Sequence, residues 1–150
     1  MSVREIFGER LEELIAEKAS SESFSKELLC KTLGIEISLL YKYLRKEVLP
    51  FTARAIQFAD YFKCSLDFLC GRVNEYRTQS FAPSKPFSLC FQKILKEKKF
   101  SRHKLKKELP FSKQSIDDWF FGVRIPSLEN LIILAKYFDC NMDYLVGREN

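Results

Sequence analysis

The sequence of 150 residues is poor in the residue types that build several common functional sites. It has five glycines, and none is close enough to another to form the glycine-rich loop of a nucleotide-binding motif. Its single histidine, His103, leaves no histidine pair for a metal site and few routes to a histidine-based catalytic site. We therefore expect no catalytic residue, no bound metal and no cofactor, and we do not expect an enzyme.

Paired cysteine motifs and long apolar runs are also missing. The five cysteines are odd in number and form no CxxC motif, which indicates reduced thiols and a cytoplasmic protein. The first residues mix charged and apolar side chains, unlike a signal peptide. The longest aliphatic run, residues 131–135, is far too short to span a membrane, so no membrane partner is expected.

Basic residues are concentrated in the second half of the chain. Residues 1–74 carry 11 basic and 11 acidic side chains, whereas residues 87–150 carry 12 basic and eight acidic ones. Nine basic and two acidic residues lie between Lys93 and Lys113. Such a patch favours a polyanionic partner, although a solvated helix face would have the same composition.

The sequence contains an internal repeat. The segment ADYFKCSLDFLCGR at residues 59–72 recurs as AKYFDCNMDYLVGR at residues 135–148, with eight of the 14 positions identical. The offset is 76, and it becomes 80 further upstream, where Phe7 pairs with Phe87. Residues 73–86 are polar and contain two prolines, which is typical of a linker. This pattern predicts one domain at residues 1–72, a linker at 73–86 and a second domain at 87–150.

Each copy is predicted to contain five short helices. Apolar residues recur at helical spacing over residues 6–15, and Ser25 and Ser101 are suitable N-caps for a second helix. A third helix is predicted at about residues 37–45 and 113–121. Strict alternation and hairpin turn sequences are absent, so the predicted fold class is all-α, with two tandem five-helix domains.

A shared pattern of apolar, small and turn residues surrounds the second and third helices of the copies. In the first copy it consists of Leu29, Cys30, Leu33, Gly34, Ile35, Leu40, Tyr43 and Pro50. In the second it consists of Leu105, Leu109, Phe111, Ile116, Trp119, Gly122 and Pro126. In this pattern both copies resemble the lambda-repressor-like helix-turn-helix domain, the Cro/repressor class of bacterial and phage regulators. The resemblance covers nearly all of residues 5–72 and 87–148.

The resemblance implies DNA contacts by the second copy, through the helix at residues 113–121. Base readout would fall to Lys113, Gln114, Ser115 and Asp118, since lysine suits guanine, glutamine suits adenine and a carboxylate can accept from cytosine. Phosphate contacts would fall to Arg102, Lys104, Ser112 and Arg124.

The second copy departs from the family pattern at three positions. Lys106 stands where a small residue is expected, and Pro110 stands where glycine is expected. Either the Lys106 ammonium extends across the helix crossing to a phosphate, or the second helix is displaced. Phe121 stands at a position that is usually polar. It would either enlarge the aromatic core or, if exposed, contact another subunit.

The first copy has few residues suited to DNA. Ile37 and Leu39 occupy positions that read bases in the family, and neither can form a hydrogen bond to a base edge. The DNA contacts available to this copy are Lys26, Ser38 and Lys42. An exposed face formed by Ile37, Leu39 and Tyr41 would be a candidate interface, so we expect the first domain to pair two chains as a homodimer.

The sequence therefore predicts a regulator of transcription that binds double-stranded DNA sequence-specifically, with repression as the commonest outcome in the family. The helix at 113–121 would dock in the major groove. A linker of 14 residues spans at most about 46–50 Å, so one chain could also bind two unlike half-sites about 34–36 Å apart. The alternative is a fold reused as a protein–protein interaction module. A continuous basic strip would favour DNA, and a hydrophobic patch would favour the alternative.

Overall fold

The computed structural model describes residues 1–21, 23–75 and 79–149. Within these ranges the chain forms ten α-helices and no strand, so the all-α prediction is confirmed. The chain divides into two compact units, Met1–Ser80 and Phe81–Asn150. Among the residues so described, no helix has both the length and the apolar character needed to cross a membrane.

The first unit contains five helices among its described residues. They are α1 (Val3–Lys18), α2 (Lys26–Leu33), α3 (Ile37–Leu44), α4 (Thr52–Phe62) and α5 (Leu66–Leu69). The Ser25 hydroxyl caps α2 by accepting a hydrogen bond from the backbone N–H of Leu28 at 3.0 Å. Gly34 ends α2 in the left-handed conformation, with φ of 69°, which glycine adopts without a steric penalty.

The second unit contains five further helices in the part that is described. They are α6 (Phe87–Lys98), α7 (Arg102–Glu108), α8 (Lys113–Phe121), α9 (Leu128–Phe138) and α10 (Met142–Leu145). Ser101, Ser112 and Ser127 cap α7, α8 and α9 through their side-chain oxygens. Gly122, with φ of 79°, ends α8. The bounds of α8 agree with the helix predicted at residues 113–121, and α7 begins directly after the predicted N-cap Ser101.

The cores of the two units use equivalent positions of the repeat. The pairs Leu11 and Phe91, Leu29 and Leu105, Leu40 and Ile116, Tyr43 and Trp119, and Phe62 and Phe138 are all buried. In the second unit the Trp119 ring packs edge-on against Phe91 and Phe111, with ring centroids 6.4 and 4.9 Å apart. These contacts hold α8 against α6 and against the turn that precedes α8.

A buried ion pair closes the second unit. Arg148 is fully buried and pairs with the buried carboxylate of Asp143. This partner is needed because burying an unpaired charge is costly. The Phe81 ring covers the Arg148 guanidinium at 4.1 Å. Lys85 donates its backbone N–H to the carbonyl of Val146 at 2.9 Å. Residues 81–85, which the sequence assigns to the linker, therefore pack against the end of the second unit.

Candidate nucleic-acid interface

The helices α7 and α8 pack against each other through buried apolar side chains. Leu105 on α7 and Ile116 on α8 are fully buried, which fixes the two helices to the core of the unit. Pro110 lies in the turn between them, and the preceding Leu109 is extended, with φ of −103° and ψ of 149°, as proline requires of its predecessor. The first unit makes the same connection with Gly34. Pro110 therefore changes the route of the turn, while α8 begins at the position equivalent to the start of α3.

A salt bridge between Lys106 on α7 and Asp117 on α8 joins the two helices where they cross. The Lys106 ammonium lies 2.8 and 2.9 Å from the two carboxylate oxygens of Asp117. The hydrogen bond from Lys106, followed by one from Arg102, lowers the pKa of Asp117 below its usual value. The Lys106 ammonium thus extends across the helix crossing and is directed to Asp117, and its contact with a phosphate stays a prediction. In the first unit the position of Lys106 is held by Cys30, a small buried residue.

Arg102 is held between a carboxylate and two aromatic rings. Its Nη1 donates to Asp117 Oδ1 at 2.8 Å. Its guanidinium carbon lies 4.4 and 4.8 Å from the ring centroids of Phe120 and Phe121. The Arg102 side chain as a whole is 36% exposed.

Four of the predicted contact residues form one hydrogen-bond network on the outer side of α8. Asp118 Oδ1 accepts from Gln114 Nε2 at 2.8 Å, and Asp118 Oδ2 accepts from Arg124 Nε at 2.9 Å. Arg124 Nη2 also donates to the Ser115 hydroxyl at 3.3 Å. The Asp118 side chain is only 13% exposed, whereas Gln114 and Arg124 are exposed. The predicted base reader Asp118 is thus directed toward its own neighbours.

The N-terminus of α8 presents the other predicted contacts. The Ser112 hydroxyl accepts from the backbone N–H of Ser115 at 3.0 Å and lies 2.8 Å from the Ser115 hydroxyl. The next residue, Lys113, is exposed, and no ion pair involves it among the residues described. Lys107 on α7 is exposed in the same way. Lys113 and Gln114 therefore stand at the accessible end of the helix.

Lys104 pairs with an acidic residue of its own helix. Its ammonium donates to Glu108 Oε1 at 2.7 Å and lies 5.0 Å from the centroid of the Phe100 ring. The hydrogen bonds from Lys104 and from the Tyr137 hydroxyl lower the pKa of Glu108. Burial, together with the hydrogen bond to Glu108, raises the pKa of Tyr137 to about 12.

The basic strip expected along α7 and α8 is therefore partly neutralised. Of its four members, Arg102, Lys104 and Arg124 pair with acidic side chains, and Lys113 has no such partner in the described part of the chain.

Within the same described ranges, no group of three or more histidine, cysteine, aspartate or glutamate residues could hold a metal ion.

An apolar cluster lies beside this strip. Phe121 is 64% exposed, so the interpretation that it enlarges the aromatic core is wrong. Val123 and Ile125, for which no role is predicted from the sequence, are 70% and 57% exposed. Their signal in the sequence is the alternation of apolar residues after the helix-ending Gly122. We call Phe121, Val123 and Ile125 the apolar cluster below.

The corresponding face of the first unit is more apolar. Ile37 and Tyr41 on α3 are partly exposed, and so is Leu28 on α2, for which no role is predicted from the sequence. Leu39 is half-buried, so it contributes less to this face than expected. The three possible DNA contacts of this unit differ in their exposure. Ser38 and Lys42 are exposed, whereas Lys26 is half-buried, with its ammonium 5.2 Å from the centroid of the Tyr41 ring.

Comparison with known proteins identifies one part of the chain. Residues 91–145 match the family model HTH_3, described as helix-turn-helix. The match extends from α6 to α10 and includes both α7 and α8, and no enzyme family was matched. Comparison with curated proteins and with solved structures returned no match. The chain therefore contains, at residues 91–145, a helix-turn-helix domain of the Cro/C1 type, which implies DNA binding as in transcriptional regulators.

Proposed function

We propose that this protein is a sequence-specific DNA-binding regulator of transcription, and that it represses by occupying its site. The observation that carries the proposal is the helix-turn-helix domain at residues 91–145, with Lys113 and Gln114 exposed at the start of α8. In such domains the N-terminal residues of the recognition helix reach base edges in the major groove. Lysine suits guanine O6 and N7, and glutamine suits adenine N6 and N7.

Phosphate contacts are proposed for the paired basic residues next to α8. Exposed ion pairs such as Lys104–Glu108 contribute little to stability because water screens them, so a phosphate can replace the carboxylate. Arg102 and Arg124 each have several N–H donors, of which the intramolecular hydrogen bonds use only some. The Ser112 hydroxyl, at the N-terminus of α8, is the fourth proposed phosphate contact.

Binding to duplex DNA tests this proposal directly. The purified chain is titrated with random duplex DNA over a series of salt concentrations, and the preferred sequence is then selected at moderate salt. We expect affinity to fall steeply with salt, because each phosphate contact adds about −0.9 to the slope of log K against log salt. The absence of binding at the lowest salt concentration would refute the proposal.

Two substitutions separate base readout from phosphate contact. Gln114→Ala should cost about 1–3 kcal/mol at one base pair and relax specificity there. Gln57→Ala, which changes an exposed glutamine of α4 that has no proposed DNA contact, is the matched control and should leave specificity unchanged. Arg102→Ala should weaken binding to all sequences alike and reduce the salt slope by about one. Equal effects of Gln114→Ala on every sequence would contradict its role as a base reader.

For the first unit we propose a second domain of the same kind that pairs two chains. The offset of 76 between its core residues and those of the second unit supports a common origin. Its exposed Leu28, Ile37 and Tyr41 replace Lys104, Lys113 and Asp117 of the second unit, which suits a protein contact better than DNA. A homodimer of this kind would bind a palindromic site.

The oligomeric state tests the role of the first unit. We expect sedimentation equilibrium to show a dimer, and we expect Ile37→Asp to shift it to a monomer with weaker binding to a palindromic site. Gln57→Asp, at an exposed position of α4 in the same unit, adds the same single negative charge and is the control. A monomer that selects an asymmetric site would instead favour one chain that binds two unlike half-sites.

A second candidate function is a protein–protein interaction module that does not bind DNA. The exposed apolar cluster beside the partly neutralised basic strip is the observation that favours it. If the protein is such a module, no DNA binding is expected at any salt concentration. Steep, salt-dependent binding that survives Phe121→Ser would exclude it.

A further inference from the structure

Asp118 is the centre of the network on α8, and its chemistry differs from that of its partners. An ionised carboxylate only accepts hydrogen bonds, and Asp118 accepts from a different donor on each oxygen. Gln114 must therefore direct its NH₂ group, and not its carbonyl oxygen, toward Asp118. The orientation of the Gln114 amide is set by the chemical nature of its neighbour.

The atoms that remain available on Gln114 match one base. After one N–H is donated to Asp118, the amide retains its Oε1 acceptor and a second N–H donor. An acceptor and a donor side by side are what the N6 and N7 atoms of adenine require in the major groove. Arg124 likewise keeps N–H donors after its contacts with Asp118 and Ser115.

The position of Asp118 suits it to hold these groups and not to contact DNA itself. Its side chain is only 13% exposed, and both of its oxygens are engaged, whereas Gln114 is exposed at the first turn of α8. A long, mobile side chain loses rotational entropy when it binds a base, and a residue that is already held loses less. Asp118 thus reduces the cost of ordering Gln114.

We propose that Asp118 is a positioning residue for specificity, which orients Gln114 toward an adenine and holds Arg124 beside it. This inference rests on the proposed DNA-binding function and replaces the assignment of Asp118 as a base reader. Asparagine cannot substitute fully, because it offers one acceptor oxygen where two donors must be accepted.

The test compares base discrimination by the unmodified chain with that of three variants. The readout is the ratio of affinities for the selected site and for the site altered at the base pair that Gln114→Ala identifies. A bidentate contact discriminates by about 5- to 150-fold. We expect Asp118→Ala to lose most of this ratio and Asp118→Asn to lose part of it. Asp117→Asn, which removes the same charge without touching Gln114, should leave the ratio unchanged.

Removing a negative charge strengthens binding to every sequence, which is why the ratio and not the affinity is the readout. The double variant Gln114→Ala with Asp118→Ala should discriminate no worse than Gln114→Ala alone. The reason is that each substitution removes the same contact, the one between Gln114 and the base. Tighter binding of Asp118→Ala with an unchanged ratio would overturn the proposal, because Asp118 would then only compete with DNA.

A measurement on the unmodified protein tests the proposal even if a variant fails to fold. The side-chain amide of Gln114 should have a high NMR order parameter in the free protein, and that of Gln57 should have a low one. Gln57 is exposed on α4 and has no hydrogen-bond partner in the part of the chain that is described. Equal mobility of the two amides would overturn the proposal without any DNA. A rigid Gln114 in a protein that binds no DNA would show instead that the proposed function fails.

Discussion

Gly147 offers a stability test because two separate features of the structure require glycine there. Its φ is +81°, a conformation that costs other residues about 1–2 kcal/mol. A Cβ atom at this position would also lie 2.9 Å from the backbone nitrogen of Lys85 and 2.8 Å from its Cβ. We therefore expect Gly147→Ala to strain the backbone and to displace the segment at residues 81–85.

The second effect has its own magnitude. Displacement of Lys85 breaks its hydrogen bond to the carbonyl of Val146, which contributes about 0.5–1.5 kcal/mol. It also moves Phe81 away from the fully buried Arg148. Together with a net backbone cost of about 1 kcal/mol, we expect Gly147→Ala to lower the free energy of unfolding by about 1.5–2.5 kcal/mol.

Gly34→Ala is the matched control for backbone strain alone. Gly34 has φ of +69°, but a Cβ atom there would meet nothing within 4 Å. Its substitution should therefore cost only about 1 kcal/mol, since alanine also restricts the unfolded chain. Urea denaturation followed by circular dichroism measures both values, and hydrogen exchange reports on the Lys85 amide.

The comparison has a clear refuting result. Faster exchange of the Lys85 amide in Gly147→Ala, but not in Gly34→Ala, would support the packing of residues 81–85 on the second unit. Equal destabilisation by the two substitutions, with no change at Lys85, would show that this segment does not pack as described.

Three further predictions concern the second unit. The Tyr144 hydroxyl donates to the carboxylate of Glu97, and this hydrogen bond is the main cause that raises the pKa of Tyr144 to about 12. Tyr144 and Tyr137, whose pKa is also about 12, should ionise about two pH units above free tyrosine in an absorbance titration. Because the folded state keeps these protons, the stability they contribute is complete below pH 10 and is lost as the pH rises toward 12. Lys106→Ala should raise the lowered pKa of Asp117 in a carboxyl NMR titration, and an unchanged value would contradict the salt bridge. The stability due to this lowered pKa is present above pH 4 and is lost in more acidic solution. Ile116→Ala should cost about 2–5 kcal/mol in urea denaturation, because Ile116 is fully buried, and a loss below 1 kcal/mol would contradict its packing.

Local signals in the sequence were sufficient to predict the helices. An N-cap serine such as Ser112 acts on backbone groups two or three residues away, and Gly122 ends α8 through its own φ angle. The spacing of apolar residues similarly predicted the helix over residues 6–15, in which Phe7, Leu11 and Leu14 are buried. The repeat strengthened these predictions, because each pattern occurs twice.

The side-chain partners at the candidate interface were not predictable in this way. The sequence shows that Lys106 and Asp117 are charged, but a charge can face solvent, DNA or another residue. Their contact joins residues 11 positions apart on two helices, so it depends on how α7 and α8 cross. The exposure of Phe121 depends in the same way on which side of α8 the core covers.

The amino-acid order alone thus specified the all-α class, the helix ends and the buried positions, because those depend on neighbours along the chain. Which basic side chains remain available to a polyanion depends on contacts between helices. The pairing of Asp118 with Gln114 and Arg124, and the packing of Phe81 on Arg148, became visible only in three dimensions. Long polar side chains have many accessible rotamers, and only the surrounding packed elements select one of them.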